Sequence, residues 1–145
     1  MALKKGFKQL LAEAEHKAPR ISVEDAQKRH GDAGTVFVDI RDVRELEREG
    51  MIPGAFHAPR GMLEFWVDPE SPYYKPVFTE DKTYILYCQS DWRGVLAAAT
   101  LKEMGLPNVF HLVGGYSEWR KAGGATAARP HKAEGGGRKA EEKKD

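Results

Sequence analysis

One cysteine stands among the 145 residues, and its setting makes it the first place to look for chemistry. Cys88 follows an apolar, β-branched run at 83–87 that reads as a strand. Residues 94–104, rich in Ala and Leu, read as a helix that stops at Gly105. Between them lie Gln89, Ser90, Asp91, Trp92 and Arg93. A tight strand-to-helix join aims free amides, and the positive end of the helix dipole, at whatever the loop encloses. In open α/β sheets, ligands bind beyond the carboxyl ends of the strands. A thiol held there is stabilised as the thiolate, and Arg93 adds a fixed cation, which makes Cys88 a nucleophile in an anion cradle. The competing reading is an inert core cysteine, since free Cys is among the most buried residue types. A Cys followed five residues later by an Arg does not decide between the two.

The elements that must position this loop follow from periodicity. Leu3, Phe7, Leu10, Leu11 and Ala14 recur at helical spacing, so residues 3–17 form an amphipathic helix stopped before Pro19. Ser22 with Asp25 resembles a capped helix start, and that helix ends at Gly31. Residues 35–40 read as a buried strand, 42–49 as a charged exposed helix closed by Gly50, and 109–112 as a third strand before a last helix at 116–122. Met62 to Val67 is a short aromatic segment, and the three prolines between Asp68 and Pro76 mark a long surface loop. Strands alternating with helices argue for a mostly parallel sheet covered on both faces.

Composition sets the outer limits. The length suits one domain with a core of its own. A lone Cys rules out an internal disulfide and a zinc-finger site. A net charge of +1 gives no reason to expect nucleic acid, and no run approaches the ~20 apolar residues of a membrane span. The chain is therefore expected to be soluble and cytoplasmic, with its thiol reduced. Residues 123–145 contain no Leu, Ile, Val, Phe, Met, Trp or Tyr, and a segment with nothing to bury cannot offset its ordering entropy. The expected division is a helix at 1–18, a domain at 19–122 and a disordered charged tail at 123–145.

Four segments, taken in order, resemble the rhodanese-like (sulfurtransferase) domain family, in its single-domain type. Val38-Asp39-Ile40-Arg41 is similar to the family's strand with an Asp-x-Arg ending. Gly50-Met51-Ile52-Pro53-Gly54-Ala55 resembles its Gly-His-Ile-Pro-Gly-Ala segment, with Met51 where His is usual. Residues 88–93 resemble the six-residue active-site loop, and Gly114-Gly115 with Trp119 resembles the closing signature. The resemblance implies a rhodanese-like α/β fold with a five-stranded, mostly parallel sheet and helices on both faces, preceded here by an extra N-terminal helix. It also implies sulfur transfer: Cys88 takes the outer sulfur of a small anionic donor such as thiosulfate, holds it as a persulfide and passes it to cyanide or a thiol. No metal or organic cofactor is required, and any protein partner is unidentified. Four residues lie between Cys88 and Arg93, against five in the related cysteine phosphatases, and a smaller cradle suits sulfur better than phosphate.

Two loop positions depart from the family pattern, which has Gly at the fourth position and Ser after the Arg; here they are Asp91 and Gly94. Beside the thiolate, the Asp91 carboxylate would oppose it by roughly 1 kcal/mol in a wet site and ~3 at intermediate dielectric. Turned to water, it would matter little. The alternative to a working enzyme is a catalytically weak or inactive recognition module. Around the loop, Asp39 and Arg41 are expected to brace the strand end, while Arg60, Phe65 and Trp66 follow the Ile52–Ala55 segment, which in the family lies near the site. Trp92 is a pocket wall or a surface packing residue. His57 and His111 are expected to be structural, and Trp119 a core anchor.

Overall fold

The computed structural model describes residues 1–79 and 81–130. Five strands form one wholly parallel sheet: β1 (Arg20–Ile21), β2 (Thr35–Asp39), β3 (Phe56–His57), β4 (Thr83–Tyr87) and β5 (Val109–Leu112), in the order β1-β5-β4-β2-β3. Six helices accompany it: α1 (Phe7–Lys17), α2 (Val23–Arg29), α3 (Val43–Glu49), α4 (Leu63–Val67), α5 (Trp92–Met104) and α6 (Gly115–Lys121). A fold of α/β class with an extra N-terminal helix is therefore present. The two-residue strands β1 and β3 are absent from the sequence reading, because two residues are too few to show a period.

The sheet is buried on both faces, as parallel sheets are. Side chains alternate along β4: Tyr84, Leu86 and then Cys88 join one cluster with Leu63, Ala97, Ala98 and Leu101 of α4 and α5. Ile85 and Tyr87 join the other, with Ala26 of α2 and Tyr116 and Trp119 of α6. A third, smaller cluster lies outside the sheet, where Ala14 of α1 meets Val95 and Ala99 of α5. The N-terminal helix begins at Phe7 rather than residue 3, and only part of its apolar stripe is used. Leu3, Phe7 and Leu10 remain exposed, although the Phe7 ring lies 5.1 Å from that of Trp92.

The caps explain two helix starts. Ser22 Oγ accepts from the Asp25 amide at 3.0 Å. Asp42 and Glu45 form a reciprocal capping box at α3, with Arg44 N donating to Asp42 Oδ1 at 2.8 Å and Asp42 N to Glu45 Oε2 at 3.1 Å.

The expected tail starts at Gly123, but the segment as far as Pro130 runs back over the domain. Met51 and Ala127 exchange two main-chain hydrogen bonds of 2.8 and 2.9 Å, Trp119 Nε1 donates to the Ala125 carbonyl, and Arg129 lies 3.8 Å from Glu47. Backbone groups hold this stretch where apolar side chains are lacking. The rest of the predicted tail, from residue 131, lies outside the described residues.

Candidate active site

Cys88 lies at the carboxyl end of β4, directly before α5. Its sulfur accepts from the amide of Asp91 at 3.0 Å and from that of Gly94 at 3.4 Å. The loop thus turns main-chain donors onto the sulfur, and the first amides of α5 have no acceptor within their own helix. Cys88 is only 1% exposed.

The start of the loop is pinned by α6. Tyr116 N donates to the Cys88 carbonyl at 2.8 Å and Ser117 N to the Gln89 carbonyl at 3.0 Å. Gly115, at φ 62°, lies so close that a Cβ there would stand 2.6 Å from the Cys88 carbonyl oxygen, which excludes any larger residue. The Gln89 side chain faces inward: its amide nitrogen donates to Ser117 Oγ and Glu49, and its oxygen accepts from Arg41 Nη1 at 3.0 Å.

Arg41 is fully buried and pairs with Asp39, also fully buried, through Nε at 3.0 Å and Nη2 at 2.7 Å. Nη2 also donates to the Gly50 carbonyl, and the guanidinium lies 4.3 Å from the centre of the Tyr116 ring. Burial works against the Arg41 charge, but Asp39 more than offsets it and holds the guanidinium above its ordinary pKa. The Tyr87 hydroxyl accepts from Ile52 N, joining β4 to the segment that follows Gly50. Asp39 and Arg41 therefore stand between the strand end, Gly50 and the loop.

At the other end, Arg93 is gripped by Glu45 through two hydrogen bonds of 2.9 and 3.0 Å. This bidentate pair holds the Glu45 carboxyl below the ordinary carboxylate range. It raises Arg93, against the partial burial of the guanidinium, with the nearby Cys88 acting in the same direction. Glu45 thus joins its capping role at α3 to the cation beside the thiol. Sequence reasoning took the helix to be a solvated face and missed it, although the Asp42-x-x-Glu45 spacing was there to be read.

The Asp91 carboxylate does not turn to water. It points to His111 on β5, whose Nδ1 lies 3.0 and 2.9 Å from its two oxygens, while His111 Nε2 lies 3.3 Å from Glu15 of α1. Burial raises the Asp91 carboxyl above its usual range, and the His111 hydrogen bond pulls it back down. Arg60 is engaged by Glu64 at 2.8 Å. Trp92 and Phe65 are exposed, and Trp66 packs edge-on against Phe56. Among the described residues no cluster of His, Cys, Asp and Glu could hold a metal ion, and no helix is long and apolar enough to cross a membrane.

A buried cysteine that accepts from two loop amides, between a parallel strand and a helix on a five-stranded sheet, defines a class. Residues 22–122 match the Rhodanese-like domain family, and the chain belongs to it. It is similar to a sulfurtransferase of Allochromatium vinosum, 31% identical over 104 residues that cover 71% of this chain and 89% of that protein. It is 26% identical to the human thiosulfate:glutathione sulfurtransferase over 108 residues, covering 70% and 93%. A Bacillus subtilis relative, 32% identical over 102 residues, is matched over only half of its own length. Among solved structures, a Rhodopseudomonas palustris protein of unknown function, described as a possible tyrosine phosphatase, is 47% identical, with a TM-score of 0.85 over 88% of this chain and 98% of that one.

Proposed function

We propose that the protein is a sulfurtransferase that carries a sulfane sulfur on Cys88. The observation that carries this reading is the pair of amides, Asp91 N and Gly94 N, directed at the Cys88 sulfur with Arg93 beside it. Donors fixed in that position stabilise a thiolate and, once it is loaded, a persulfide, without reorganising during the reaction. The thiolate attacks the outer sulfur of thiosulfate. A new S–S bond forms, the old one breaks, and sulfite leaves with its electron pair. Cyanide or a thiolate then attacks the outer sulfur of the persulfide and expels the Cys88 thiolate. Sulfurtransferases among the relatives support this class of donor and acceptor.

Mass spectrometry of the full chain after incubation with thiosulfate is expected to show one added sulfur, removed by cyanide and absent from Cys88→Ser. No adduct with any sulfane donor would sink the proposal. A second reading, a recognition module with little turnover, draws on two observations: Cys88 is almost wholly buried, and the charge of Arg93 is countered by Glu45. It predicts a partner whose affinity survives Cys88→Ser. Phosphate-ester hydrolysis is disfavoured by the four-residue spacing between Cys88 and Arg93.

A further inference from the structure

Asp91, Gly94 and His111 share one small volume behind the cysteine loop. Asp91 is the only non-glycine residue at positive φ among those described, at 101°. Such a conformation costs an L-residue roughly 1–2 kcal/mol and persists only where the surroundings enforce it. A side-chain hook accompanies it here: both carboxylate oxygens of Asp91 lie within hydrogen-bond reach of Nδ1 of the fully buried His111. The other ring nitrogen faces Glu15, with Arg20 3.6 Å from the same carboxylate and paired in register with His111 across β1 and β5. Gly94 completes the arrangement, since a Cβ there would meet Asp91 Oδ1 at 3.0 Å and lie 3.8 Å from His111 Cβ.

We propose that His111 is a positioning residue for the cysteine loop. It holds the Asp91 carboxylate so that the Asp91 amide stays on the Cys88 sulfur, and Gly94 is glycine because that carboxylate occupies the space its side chain would need. The groups facing the ring are Asp91 from the loop and Glu15 from α1, with Arg20 of β1 behind Glu15. The proposal takes Cys88 to be the reactive thiol, as the sulfurtransferase reading does, but its test does not depend on sulfur transfer.

The test is the rate at which iodoacetamide alkylates Cys88 in the full chain at neutral pH, which reports the thiolate directly. Gly94→Ser is expected to slow the reaction about tenfold in the native background and to have little effect beside Asp91→Gly, because only the carboxylate stands in its way. His111→Ala is expected to slow it several-fold, and Asp91→Asn, which tolerates the left-handed conformation and keeps an acceptor for His111, to stay close to the native rate. Additive effects at 91 and 94 would overturn the proposal, as would a folded His111→Ala protein that reacts at the native rate. Should His111→Ala fail to fold, the cycle between 91 and 94 still decides.

Discussion

Gln89 and Asp91 flank Ser90 in the same loop, and the molecule grips them in opposite ways. Gln89 is held by Arg41, itself locked to Asp39 inside the sheet, and by Glu49 and Ser117; these partners belong to β2, α3 and α6 or lie at their ends. Asp91 is held by a single histidine, and that histidine leans on Glu15 of α1, a helix outside the residues matched to the family. The first anchor is many-stranded, and its Arg41–Asp39 pair is wholly buried, although Glu49 is 34% exposed. The second passes through one strained residue and ends on a side chain that is 35% exposed. Stability should therefore depend chiefly on the Gln89 side, and tuning of the sulfur chiefly on the Asp91 side.

The largest effect is expected at Arg41. Arg41→Met strands the Asp39 carboxylate in the interior, and breaking one partner out of a buried pair costs about 3–5 kcal/mol. Urea unfolding measures it, and a loss under ~1 kcal/mol would mean the first anchor does not brace the fold.

Asp91→Ala is expected to lose about 2 kcal/mol from the left-handed backbone and the missing His111 contact together. Asp91→Gly should lose less, because glycine accepts that backbone freely. Equal losses would show that the hook, rather than the dihedral, carries the cost.

Glu45→Gln should have the smallest effect, and one that depends on pH. Arg93 depresses the Glu45 carboxyl in the folded chain, so its contribution is present above the unfolded value and disappears as pH falls through the folded one. The acid-side decline of the melting temperature should therefore be shallower in Glu45→Gln than in the native protein. Parallel declines would remove Glu45 as the clamp on Arg93.

Much of this is legible in the sequence. β2, β4 and β5 are long enough to show unbroken apolar runs, and the cysteine loop announces itself by its place between a strand and a helix. Direction was harder to read. Nothing local tells Asp91 to turn toward a histidine 20 residues further on, because parallel neighbours in a sheet are joined only through a crossover helix. The stretch from Gly123 to Pro130 shows the limit of composition, which counts side chains, whereas Ala125 and Ala127 are held through their main chain.

The space shared by the Asp91 carboxylate and the missing Gly94 side chain has a historical consequence. A lineage moving between this loop and one with glycine at the fourth position and serine after the arginine faces an ordered path. Emptying position 91 first leaves room for the serine, whereas adding the serine first brings its Cβ to 3.0 Å from the Asp91 carboxylate. Two changes that look independent on paper are thus linked in sequence of occurrence, and intermediates of the second kind should be scarce among descendants.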